Sequence, residues 1–286
     1  NVDFSQSVMT NSKMIKTSFE ESVFSGANLS QSVLNESIIT DADLSKVLMI
    51  KSQLIKANLS RSDLSEGNYN HANFSDAILK GCNLEGVSAK NAVFKTTNLQ
   101  DANLTKAILD GSDLSRSNLT RAQLDDASLL DTNFNGADLT LSSLKGADLK
   151  NADLTFAQMS KADFTNADLS GTTFHGSNAS GALMVNTNLT GAKLEKSRFD
   201  GASFENANLT QIVSSKSKFI NSVFKNTDLT NAVFKESDLT GAIFEGVKLN
   251  GANLKGANLD GVDLTQAILC ETVMPDGKVS NRNCKK

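Results

Sequence analysis

The sequence predicts an all-β solenoid, on three observations. A large apolar residue recurs at every fifth position from Phe4 to Met274 without a slip. A small residue stands two positions before it. A Gly or polar residue closes each five-residue unit. Of the 55 register positions, 30 are Leu, 14 Phe and 6 Met, with Ile39 and Tyr69, and only Ala89, Ala179 and Ser214 are small. Asn, Ser, Asp and Thr are abundant, a composition often found in disordered chains. The unbroken register excludes that class.

Each element of the unit has a physical reason. A period of five is neither the helical 3.6 nor the simple strand period of two. Within one unit, the small and large residues are two apart, so an extended segment turns both inward, as with Ala102 and Leu104, and the residue between them outward. The chain must then turn and restart. Sixteen of the eighteen Gly stand at unit ends, where a turn needs them. A short extended side and a corner, repeated, make a solenoid. Alternating small and large inward residues let its interior close-pack. The predicted core includes Leu104, Leu144, Phe164, Phe204 and Phe224.

Irregular units test the packing. Tyr69, the bulkiest central residue, comes with Gly67; the undersized Ser214 comes with Ile212; Ala89 comes with Val87. Volume is redistributed in these units, as a packed core requires. Ala179 with Ser177 is not compensated, which predicts a void or filling by Met159 and Phe199. Cys82, at a small inward position, is expected to be a buried free thiol.

The pattern A-N/D-L-x-x, as in Ala102-Asn103-Leu104-Thr105-Lys106, resembles the pentapeptide-repeat family from Val2 to about Met274. The resemblance implies a right-handed quadrilateral β-helix with four units per coil, hence about 13–14 coils and a rod of roughly 65 Å at strand spacing. It also implies a solenoid domain over 1–274 and a cap over 275–286. The stretch from Cys270 through Pro275, the only proline, and Asp276-Gly277 to Cys284 resembles the cap of secreted and lumenal members in cyanobacteria and chloroplasts. That likeness implies a Cys270–Cys284 disulfide; two unrelated thiols are the alternative. Such a bridge suits an oxidising compartment, a thylakoid lumen or periplasm, over the alternative cytoplasmic location. The start at Asn1 is expected to reflect a processed or trimmed precursor. The many Asn-x-Ser/Thr triplets on packed segments, such as Asn28-Leu29-Ser30, favour a bacterial or plastid lumen over an animal secretory route.

With four units per coil, residues twenty apart share a face. The face of Phe4, Phe24 and Leu44 sums to −7, the opposite face of Met14, Leu34 and Leu54 to +3, and the other two to −2 each. The tail adds Lys278, Arg282, Lys285 and Lys286, and the whole chain carries −4. The asymmetry is either scatter in a neutral repeat or a field that orients a partner. Exposed apolar residues are few. A contact patch is expected around Leu48, Ile50 and Ile55, and Phe156 is the only Phe off the core register.

No catalytic constellation stands out, and no cofactor or metal site is expected. His71 and His175 are unit-end residues about five coils apart, and no Cys/His spacing suits zinc. Stacked acids such as Asp43 and Asp63 are read as solvated repulsion rather than a cation site. The interior is expected to hold neither pocket nor titratable group. No apolar run approaches the ~20 residues of a membrane helix, which leaves peripheral association with a membrane complex open. The expected function is therefore non-enzymatic: a scaffold presenting flat charged faces to a protein partner, in its narrower form on the lumenal side of a photosynthetic complex. A passive spacer is one alternative. The other is the DNA mimicry by which some family members inhibit DNA gyrase. Charge opposes it, since about 65 Å of duplex carries about 38 charges, against −7 on the most acidic face. The mild net negative charge makes nucleic-acid binding equally unexpected.

Overall fold

Backbone hydrogen bonding explains why the unit has five residues. In the computed structural model, which describes residues 2–284, four of the five N–H groups of a typical unit bond to backbone carbonyls. In the unit at Leu104, Asn103 N–H donates back to Cys82 O and Leu104 N–H donates forward to Gln123 O. Lys106 N–H reaches Asp125 O, and Ala107 N–H closes the corner onto Leu104 O. The fifth N–H, on Thr105, is taken by the side chain of Asn103 at 3.1 Å. The Asn or Asp of the consensus is thus a cap for a donor that would otherwise be orphaned.

Parallel bridges join residues twenty apart, so four units complete one turn. Each straight side is short enough that its ladder has one bridging residue per unit. The chain divides into two units, Asn1–Asp148 and Leu149–Lys286. In the first, the bridges run from Asp3↔Val23 to Ser128↔Asp148; in the second, from Asp153↔Thr173 to Asn253↔Val273. The second unit also contains the only named strands among the described residues. β1 (Thr272–Val273) pairs antiparallel with β2 (Val279–Ser280).

From Gln6 to Gly261 every corner passes through the left-handed region, whatever residue occupies it. Lys106, Leu141 and Phe156 sit at φ of 58°, 61° and 59°. An L-residue pays roughly 1–2 kcal/mol there. Ladder bonds on both sides of the corner hold the conformation in place. Glycine at these positions relieves the strain but is not required by it.

The core lies where the register puts it. Leu104, Leu144, Phe164, Phe204, Phe224, Tyr69 and Ser214 are all fully buried. Rings one turn apart stack nearly flat: Phe74 on Phe94 at 4.9 Å in the first unit, and Phe204 on Phe224 at 5.0 Å in the second. Inward Ser and Thr hydroxyls donate to carbonyls of the large inward residues, as Ser62 does to Ile39 O and Thr97 to Phe74 O. This bonding lets a polar residue occupy a small inward position.

The irregular units behave as volume arguments demand. A Cβ built on Gly67 would lie 2.6 Å from Tyr69 Cε2 and 2.9 Å from its hydroxyl oxygen. Ser214 donates to Val233 O at 2.9 Å beside the buried Ile212. At the uncompensated Ala179, Met159 and Phe199 are buried, and the Ser177 hydroxyl oxygen nearby is left without a hydrogen-bond partner.

Candidate functional site

The C-terminal closure is built where the ladder stops. In the second unit, residues 262–264 leave the bridge pattern, and an opening of about 280 Å³ forms beside Gly241–Glu245, Gly261, Asp263 and Gln266. Carbonyls there have no next turn to bond to. Arg282 replaces it: its guanidinium donates to Leu264 O and, at 3.0 Å, to Ala267 O. Leu269 N–H bonds to Arg282 O at 3.2 Å. The tail is held by the antiparallel pair β1–β2 and by a disulfide between Cys270 and Cys284, whose Cα atoms are 4.7 Å apart. Asp263 accepts from the Thr265 N–H and hydroxyl and faces the Arg282 charge, which together hold its carboxyl below the usual carboxylate range. Lys285 and Lys286, counted with the tail charge, lie outside the described residues.

Beside the disulfide, the tail and the coil wall enclose a groove of about 500 Å³, within the range of small-molecule pockets. Lys248, Asn250, Ile268, Glu271 and Asn283 line it. The Lys248 ammonium is engaged by Asp228 at 3.2 Å. The side-chain oxygen of Asn250 has no partner. The groove offers the Lys248 cation, the Glu271 carboxylate, the Thr230 hydroxyl, amide groups and an apolar wall. Among the described residues, no group of three or more His, Cys, Asp or Glu is placed to hold a metal ion.

Two titratable groups do lie inside, correcting the expectation of none. Tyr69 and Cys82 are buried. Burial pushes the Cys82 thiol up to about 12 against bonds from the Ser62 and Arg61 backbone, and it raises the Tyr69 hydroxyl well above its ordinary value. The Cys82 thiol donates to Leu59 O at 2.9 Å. Both stay neutral near pH 7 and play the packing role of an inward small and an inward large residue.

The exposed apolar residues do not converge on one cleft. Leu48 is 39% exposed, whereas Ile50 and Ile55 are half-buried, with the corner residue Lys51 between them. Phe156 is 57% exposed. Its ring lies where a Cβ on Gly176 would be, 2.6 Å from that position, and meets His175 edge-on at 6.0 Å. His175 therefore serves as a packing surface for an aromatic ring. The expected acid stack is a bridge, Asp43↔Asp63. Each carboxylate caps an N–H two residues on, at Ser45 and Ser65, so the pair has a structural use.

One regularity was readable in the sequence and carries the caps. In some units whose bridging residue is not Asn or Asp, an Asx one turn earlier supplies the oxygen. Asn35 caps Ile55 N–H at 2.9 Å, Asn70 caps Lys90 at 2.8 Å and Asp200 caps Ile220 at 3.2 Å. The signal is an Asn or Asp displaced by two positions in the preceding coil.

Comparison with known proteins follows the same register. A family model described as pentapeptide repeats matches the chain in successive stretches from 16–49 to 237–276, which together take in most of it. Among solved structures, HetL, a pentapeptide repeat protein involved in heterocyst differentiation regulation from the cyanobacterium Nostoc sp. strain PCC 7120, is 25% identical over 95% of this chain and 92% of its own, with a TM-score of 0.23. A pentapeptide repeat protein from the Arabidopsis thaliana thylakoid lumen is 32% identical over 35% of this chain and 66% of its own, with a TM-score of 0.25. QnrB1, a plasmid-mediated fluoroquinolone resistance protein, is 18% identical over 80% of this chain and 92% of its own, with a TM-score of 0.40. Superpositions at these scores carry no argument about function. No curated protein matches the chain.

Proposed function

The chain belongs to the pentapeptide-repeat family, and on that premise we propose that it is a non-enzymatic scaffold whose outward columns of side chains meet a protein partner. One observation carries the reading. The inward positions are filled by packed side chains, so chemistry is left to the outer residues of each unit, which are repeated at fixed spacing on short flat sides. A rigid surface of that kind suits recognition, because little conformational entropy is lost when it docks. The proposal takes the coil as right-handed and four-sided, with bridges between residues twenty apart supporting the four sides. It takes 1–274 as the solenoid and 275–286 as its cap, supported by β1–β2 and Arg282. It places Leu48, Ile50, Ile55 and Phe156 among the residues available to a partner.

The disulfide supports residence in an oxidising compartment, such as a thylakoid lumen or periplasm. No helix among the described residues is long and apolar enough to cross a membrane, and the narrower form of the proposal is peripheral docking on the lumenal side of a photosynthetic complex. Crosslinking in the native compartment, followed by mass spectrometry, tests the scaffold reading. The expected result is one recurrent partner, crosslinked through lysines of neighbouring columns. A crosslinked sample with no recurrent partner supports the passive spacer instead. Thiol trapping in the same sample should find Cys270 and Cys284 oxidised; free thiols at both would remove the compartment argument.

A further inference from the structure

The five-residue register runs unbroken through residues 262–266, with Val262, Asp263 and Leu264 at the small, bridging and large positions. The ladder does not follow it. On one side of the second unit, Leu183, Ser203, Val223 and Ile243 each bridge the next, and no bridge beyond Ile243 forms among the described residues. The preceding rung shows what a complete contact needs. Ile243 donates its N–H to Ser222 O, its carbonyl accepts from Phe224 N–H, and Glu245 O accepts from Asn226 N–H. One rung on, the matching groups are Ala242 O, Phe244 N–H and Gly246 N–H, and none of them has a hydrogen-bond partner among the described residues. Phe244 is only 4% exposed, and a buried N–H without an acceptor is rare. Residues 262–266 are satisfied elsewhere. Val262 N–H donates to Leu259 O, Thr265 N–H to the Asp263 carboxylate and Ala267 N–H to Leu264 O, while Arg282 holds Leu264 O and Ala267 O. The segment therefore stands beside the ladder edge rather than on it. The opening of about 280 Å³ is lined by Gly241–Glu245 from the edge and by Gly261, Asp263 and Gln266 from the displaced segment.

We propose that this edge docks an extended segment of a partner protein, which joins the ladder as a parallel strand. One residue of that segment lies opposite Ile243. It donates its N–H to Ala242 O and accepts Phe244 N–H on its carbonyl, so it is not proline. The carbonyl two positions on accepts Gly246 N–H. Ile243 is 52% exposed, and an apolar side chain stacked on it suits the residue opposite. An opening of this size takes a few residues of main chain, not the packed coil of a second copy. Strand addition at an open edge draws affinity from main-chain hydrogen bonds and specificity from alternate side chains. The site uses main-chain groups at one edge and none of the outward columns, so it goes beyond the scaffold reading.

Amide NMR of the full chain tests this. The probe is an acetylated and amidated peptide with the sequence of residues 221–230, which places a valine opposite Ile243, added up to about 1 mM. The Phe244 and Gly246 resonances should shift saturably, and hydrogen exchange at both amides should slow at least about tenfold at saturation. The same peptide N-methylated at its valine has no N–H for Ala242 O and should bind at least about tenfold more weakly. A peptide with aspartate in place of the valine should bind about threefold more weakly or worse. No shift at these two amides, or a modified peptide that binds as well as the first, would overturn the proposal. Exchange at Phe244 and Gly246 that is already slow in the free protein would seat residues 262–266 on the edge and overturn it too. Exchange that slows with protein concentration alone would make a second copy the occupant, with the same consequence. Lysine crosslinking reads the outward columns and this titration reads the edge, so failure of one is distinguishable from failure of the other.

Discussion

Replacing Gly67 by Ala restores the family consensus at that position and should nevertheless destabilise the protein. Gly67 does not have a left-handed φ, so its backbone accepts Ala. The new methyl would lie 2.6 Å from Tyr69 Cε2 and 2.9 Å from its hydroxyl oxygen. The ring is fully buried and meets Phe74 at 5.6 Å, so it cannot swing clear without disturbing the next unit. Overpacking of this kind costs about 1–3 kcal/mol. Tyr69→Leu alone should cost about 2–3 kcal/mol, because Gly67 leaves the vacated volume unfilled. The double variant rebuilds the ordinary Ala-x-Leu unit and should cost less than about 1.5 kcal/mol. The coupling between the two changes is then about 2 kcal/mol or more in favour of the pair. Urea unfolding followed by far-UV circular dichroism measures all four species. Tyr69 is the only tyrosine and there is no tryptophan, so fluorescence of the parent and Gly67→Ala reports on this layer directly. Additivity of the two single costs within about 0.5 kcal/mol would refute the claim that inward volume is conserved unit by unit.

Further consequences concern the cap, the tail and acid. Asn103→Ala removes the acceptor for Thr105 N–H and should cost about 1 kcal/mol; Asn103→Asp, which keeps the oxygen, should cost less, and hydrogen exchange at the Thr105 amide separates the two. Cys284→Ser opens the loop closed by Cys270, whose partners are 14 residues apart, and should cost roughly 3 kcal/mol in the loop-entropy estimate. Its signature is faster exchange at the Leu269 amide, which bonds to Arg282 O. The Asp3 carboxylate is held below its ordinary value by the Ser5 hydroxyl and N–H, and that of Asp276 by the Lys278 N–H and ammonium. Each is bound as the ion, so the stability it contributes is present above about pH 4 and is lost as pH falls through the lowered folded values. A melting temperature that is flat from pH 5 down to pH 2 would contradict this.

The amino-acid order alone determined everything that repeats locally. The inward positions, the corner at the unit end and the trade between Gly67 and Tyr69 were all legible, because each depends on residues two or three apart. The number of units per turn was not, since a period of five says nothing about what lies one turn away; the resemblance supplied it and the bridges between residues twenty apart display it. For the same reason the purpose of the Asn/Asp column went unread. Asn103 looked like an outward polar residue, and only a count of every N–H shows that Thr105 needs its oxygen. Tyr69 and Cys82 were read as volume, although the closed interior also sets their titration. The tail was decided in three dimensions too. Nothing in the order of residues says that Arg282 takes over the carbonyls of Leu264 and Ala267, because that need arises only where the ladder ends. Periodicity fixes which side of the wall a residue faces; only the closed coil brings together groups a full turn apart and assigns their bonds and charges.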